Sequence, residues 1–179
     1  MLKRGCDIIG LPVLSLATGE RLGNVRDLVF DIQEMMIIML LIDERGLFHG
    51  NKTIYFHEIY KFGLDAVIIQ HKSCIQSGSS TSRNNLNYTT REHIINQEVI
   101  TDEGENIGVV QDLLVSIENG KVHALILTDG FFHDIVEGRP ILPLKSKVHF
   151  YEMSIVVPEQ AKNEVQYNTG GLKKLLALE

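Results

Sequence analysis

Gly19-Glu20-Arg21-Leu22-Gly23-Asn24-Val25-Arg26-Asp27-Leu28 decides the fold, because the chain carries it twice. The second copy, Gly104-Glu105-Asn106-Ile107-Gly108-Val109-Val110-Gln111-Asp112-Leu113, lies 85 residues further on. Six of the ten aligned positions are identical: both glycines, the glutamate, the valine, the aspartate and the leucine. A single long period with matched glycines points to a duplicated small domain rather than to a stack of short repeats.

Outward from the first copy, Leu11–Leu16 reads as a strand, with Pro12 at its start, where a missing N–H is tolerated. Ala17–Glu20 is a turn in which Gly19 supplies positive φ. A long strand follows from about Leu22 to Ile32, and Gly23 inside it marks a bulge or bend. The apolar run Met36–Ile42 is too short and too unbroken for an amphipathic helix. It fits a strand buried on both sides, or on one side and an interface. Thr53–Phe56 is a fourth strand, His57–Gly63 a helical turn or bend, and Asp65–Gln70 a closing strand.

The second copy repeats this order: Glu98–Ile100, a turn at Asp102–Glu105, Ile107–Ile117, Val122–Leu127, Arg139–Leu144 and Ser154–Val157. Asn119-Gly120 suits a type I′ hairpin turn. Between the copies, Gln76–Asn85 is a Ser/Asn/Gly tract with the composition of a linker or long exposed loop, and Leu86–Glu92 is ambiguous. After Pro158 a polar tail leads to Leu172–Leu178, where the leucines could form a docked helical turn or a frayed end. Short strands bounded by turns imply an all-β fold: two tandem small barrels joined by a polar linker. The domain limits are 1–75 and 94–158, with the linker at 76–93 and the tail at 159–179. A closed barrel would also keep Met36–Ile42 from being a bare edge.

The 179 residues are 44% apolar and 22% charged, ordinary for a globular protein. A net charge of −6 argues against non-specific nucleic-acid binding. Cys6 and Cys74 form no CxxC pair and read as free thiols in a reducing compartment. The basic start Met1–Arg4 runs into Gly5-Cys6-Asp7 rather than an apolar leader, and no apolar run reaches the length of a membrane helix. The expected location is the cytoplasm.

The search for chemistry yields few candidates. None of the seven histidines forms HxH, HxxxH or HExxH. His133 and Asp134, with Glu137 nearby, have metal-ligating side chains but loop spacing, so they are weak metal candidates against solvated loop residues. Asp27 and Asp112 recur inside a strand, where aspartate is disfavoured. They are either paired carboxylates for ligand or catalysis, or acceptors for backbone N–H groups at a bulge. The second fits a duplication better, because duplication preserves structural needs in both copies. Gly19, Gly23, Gly104 and Gly108 are structural in the same sense. Phe131 and Phe132 are adjacent aromatics in a loop, suited to anchoring a partner or to folding back over a barrel mouth. No nucleophile has a partner, and no phosphate-loop or dinucleotide fingerprint is present.

Gly10-Leu11-Pro12-Val13-Leu14-Ser15, then Gly19-Glu20, Leu22-Gly23, Val25 and Asp27–Asp31, resembles the PRC-barrel family. Ile54–Phe56 and Asp65–Ile68 fit that family's ending. Gly104-Glu105, Ile107-Gly108, Val110, Asp112 and Ile141–Leu144 repeat the resemblance. It implies the small β-barrel of the photosynthetic reaction-centre H subunit and of a ribosome-maturation factor, used for docking onto macromolecules, with no shared catalytic residues. The chain lacks the membrane helix of the first and the different second domain of the second, so neither role transfers. The expectation is a non-enzymatic adaptor without cofactor, binding another protein or itself. The alternative is a small-molecule- or metal-binding regulatory protein using a cleft between barrels.

Overall fold

The computed structural model describes residues 1–43, 52–77, 87–128, 139–144 and 148–167. In chain order the strands are β1 (Leu2–Arg4), β2 (Pro12–Ser15), β3 (Arg21–Asp31), β4 (Met36–Asp43), β5 (Lys52–Tyr55), β6 (Ile59–Phe62), β7 (Val67–Ile69), β8 (Gln76–Ser77) and β9 (Tyr88–Thr90). One turn of helix, α1 (Arg91–Ile94), leads into β10 (Glu98–Thr101), β11 (Asn106–Ser116), β12 (Val122–Thr128), β13 (Ile141–Pro143), β14 (His149–Phe150) and β15 (Ser154–Val157). The residues fall into two compact units. The N-terminal unit is Gly5–His93 with Ile117–Lys121, and the C-terminal unit is Met1–Arg4, Ile94–Ser116 and the described residues from Val122 onward.

Each unit is one curled sheet forming a half-barrel. The N-terminal sheet runs β6-β7-β2-β3-β4-β5-β8, with β9 against the far half of β3. The C-terminal sheet runs β13-β12-β11-β10-β15-β14, with β1 in the place that β9 takes in the other unit. β7 lies parallel to β2 and β15 parallel to β10, while the other pairs are antiparallel. The run Met36–Ile42 is an inner strand between β3 and β5, so its backbone is paired on both flanks rather than bared as an edge. Its side chains are buried on both faces: Leu40 and Ile42 on one, Met39 and Leu41 with Val29 on the other. That is why the run shows no polar face.

Bulges recur at matched places in the two copies. One lies between Val13 and Leu14 opposite Gly23 and Arg21, and again between Val99 and Ile100 opposite Gly108 and Asn106. A second falls at Arg26 and Gln111, a third at Ile38 and His123. Each adds one residue to one strand, bending it and sharpening the twist, which curls the sheet. Gly23 is required by the approach of β4: a Cβ there would run into the Asp43 carbonyl and lie 2.9 Å from Ile42 Cγ2.

The copies also extend beyond the expected limits. After β7 the chain makes a short 3₁₀ turn (Lys72–Cys74) and returns as β8 beside β5. After β15 it makes a 3₁₀ helix (Glu159–Glu164), and Gln166 bridges Ile141 of β13. Both segments link opposite ends of the sheet order, so part of the expected linker and part of the expected tail belong to the repeat itself. Residues 1–4 likewise leave the expected first domain, because Leu2–Arg4 pair with Leu114–Ser116.

The Asn119-Gly120 turn departs from type I′. Gly120 has φ +75°, but Asn119 is not among the left-handed residues. Pairing stops at Val115–Val122, so the connection is longer than two residues, and the Asn119 carboxamide oxygen accepts the Lys121 N–H at 3.0 Å instead. Met35 occupies the corresponding place in the first copy, also left-handed, at φ 51°. Cys6 and Cys74 are free thiols. No helix among the described residues is long and apolar enough to cross a membrane.

Candidate docking site

Asp27 and Asp112 are almost fully buried, at 3% and 4% exposure. Each follows the second bulge and accepts the N–H of the next residue, Leu28 or Leu113, at 2.8 Å. Asp27 also accepts the Glu92 N–H at 3.2 Å, where α1 begins. Burial raises the Asp27 carboxyl above its ordinary value, and the two backbone N–H bonds counter part of that shift. Gly19 and Gly104 hold the turns before the long strands with φ +69° and +90°, and Gly108 shares the bulge position of Gly23. The four glycines and two aspartates thus lie on the turns and bends that shape each sheet. Phe131, Phe132, His133 and Asp134 lie outside the described residues. Among those described, no three His, Cys, Asp or Glu side chains group as a metal site.

The structure brings together residues that sequence reading left apart. β11 starts with alternating faces: Gly108 and Val110 turn inward, and Ile107 and Val109 stay half-buried on the other side. Against that side stands the segment after β15. Ile141 and Gln166 exchange backbone hydrogen bonds, both at 2.9 Å, which fixes the segment carrying Val165 and Tyr167. Asp102 Oδ1 accepts the Glu159 N–H at 2.8 Å and holds the start of the 3₁₀ helix. Between these elements lies a cleft of about 640 Å³, lined by Ile107, Val109, Thr128, Val165, Tyr167 and, at its polar end, Glu105 and Lys162.

Lys162 Nζ lies 2.5 Å from Glu105 Oε2 and 2.6 Å from Glu159 Oε1. The hydrogen bond to Glu105, then that to Glu159, raises the ammonium's pKa and favours its protonated form. Glu159 is held below the usual carboxylate range by Lys162 and, second, by Thr101. The cleft therefore joins an apolar wall to a cluster of two carboxylates and one ammonium. Sequence reading placed Lys162, Val165 and Tyr167 in the tail. Pro158-Glu159 before Ala161 was the available signal, because proline followed by an acidic residue commonly opens a helical turn.

A second exposed feature repeats in the two units. β6 and β14 are each the last strand of a sheet order. The turns that join them to β7 and β15 match, with Gly63 N–H donating to the Ala66 carbonyl and Tyr151 N–H to the Ser154 carbonyl, both at 2.9 Å. These edge hairpins present Tyr60 and Leu64 (each 63% exposed) in one unit, and Tyr151 (59%) and Met153 (81%) in the other.

The PRC-barrel domain profile matches residues 2–73 and again 90–162. The chain is also similar to the uncharacterized protein YrrD of Bacillus subtilis (strain 168), at 25% identity over 138 residues, covering 72% of this chain and 71% of that protein.

Proposed function

We propose that this chain, which belongs to the PRC-barrel domain family, is a non-catalytic docking protein that binds another protein or a second copy of itself. The observation that carries the reading is the pair of edge hairpins. In both units the hairpin at the sheet's edge presents large apolar side chains to solvent, Tyr60 and Leu64 in one and Tyr151 and Met153 in the other. A recurring pair of exposed apolar side chains on a hairpin at the end of the sheet order is what a protein-binding module displays. The repeated polar residues support it too, since Asp27 and Asp112 are engaged by backbone N–H groups. The family resemblance points the same way.

The test is solution mass by light scattering over a concentration series, together with affinity capture from native lysate. Wild type should form an oligomer or retain a stoichiometric partner. Tyr151→Ser with Met153→Ser, or Phe131→Ala with Phe132→Ala, should reduce that association at least several-fold. A strict monomer that retains nothing would refute the proposal.

A further inference from the structure

We infer that the cleft between β11 and the segment 159–167 binds an extended, basic and apolar peptide segment of a protein partner. The inference rests on the docking reading for the nature of its ligand, and on the cleft for its chemistry. The apolar wall is Ile107, Val109 and Val165, with exposed Tyr167 at the mouth. Its size falls in the range of pockets that enclose a few side chains.

Charge decides which peptide. Glu105 and Glu159 leave the polar end one negative charge in excess after Lys162. Exposed Asp102 and Glu103 stand in the adjoining turn. An acidic or phosphate-bearing ligand would meet repulsion at that end. A lysine or arginine side chain would take over the carboxylates that Lys162 now holds, while its apolar neighbours lie against the wall. Lys162 is then a competitor built into the site, keeping the carboxylates compensated while the cleft is empty. The apolar wall follows β11, whose alternate residues Ile107 and Val109 line the cleft, so it suits an extended ligand laid along that strand.

The experiment uses the full chain and a fluorescein-labelled heptapeptide of alternating Leu and Lys, with a Leu/Glu heptapeptide beside it, read by anisotropy. The basic peptide should bind saturably and more weakly as salt rises, and the acidic one should not bind. Glu105→Gln with Glu159→Gln should weaken binding about 10-fold or more, equivalent to about 1.4 kcal/mol. Lys162→Gln should tighten binding, an outcome that a damaged fold cannot mimic. Equal binding of both peptides, indifference to the glutamate pair, or weaker binding by Lys162→Gln would overturn the inference. A partner or oligomer retained equally by the double glutamine variant would also reject the cleft as its seat, while leaving the docking function standing.

Discussion

A carboxylate inside a strand costs desolvation, and both buried aspartates offset part of that cost by accepting backbone N–H groups. Asp112 accepts the Leu113 N–H; Asp27 accepts the Leu28 N–H and the Glu92 N–H of α1. Burial nevertheless raises the Asp27 pKa above 3.8. An acid with a raised folded-state value binds its proton more tightly when folded. Its stabilising contribution is therefore fully present below 3.8 and is lost as pH climbs through the raised value. Urea unfolding of wild type and Asp27→Asn from about pH 3 to about pH 7 should show the difference in stability (wild type minus variant) falling with pH. A flat or rising difference would contradict the assignment. The recurrence of aspartate was legible in the sequence because duplication kept it. The bulge that explains it was not, because a bulge exists only relative to the facing strand. Lys162 was illegible for the same reason, since its partner Glu105 is 57 residues away.

At the scale of elements, hydrophobic pattern and glycine spacing located the strands well. β3, β4, β11 and β12 fall within a residue or two of their expected limits, and short apolar runs bounded by turns left little choice. Local pattern cannot encode which strand lies beside which, so the parallel pairs β2/β7 and β10/β15 were invisible. Return segments as short as β8 and Gln166 carry too few residues for any periodicity. The β3–β4 turn gives a direct test. Met35 holds the left-handed conformation that Gly120 holds in the other copy. A side chain there costs about 1–2 kcal/mol relative to glycine. Met35→Gly should therefore raise the urea unfolding free energy by about 1 kcal/mol, less whatever contact the half-buried side chain gives up. No gain, or a loss, would mean that the methionine's packing outweighs its backbone strain.

For the whole molecule, duplication is the governing fact, and the copies share strand order, bulge positions and return segments. The pairing of Leu2–Arg4 was not legible in the sequence, because three such residues look like an unremarkable lead-in. They are a strand of the C-terminal unit, and Leu2 packs against Leu114, Ala124 and Ile141. Removing residues 1–4 behind a new initiator should bare the edge of β11. Hydrogen exchange at Leu114–Ser116 should accelerate, and that unit should lose roughly 2 kcal/mol, from a few backbone hydrogen bonds and one half-buried leucine. Unchanged exchange there would show that the edge is protected by something other than β1.

The N-terminal unit counts Ile117–Lys121 among its residues, and the C-terminal unit counts Met1–Arg4. Synthesis proceeds from one end, so neither unit is laid down in one uninterrupted stretch. Leu2–Arg4 are made more than a hundred residues ahead of Leu114–Ser116 and must wait for them before they find their ladder. The nascent first repeat stays short of a piece until residue 121 emerges. Translation speed across the second repeat then becomes a determinant of how long an incomplete sheet stands open to the wrong neighbour.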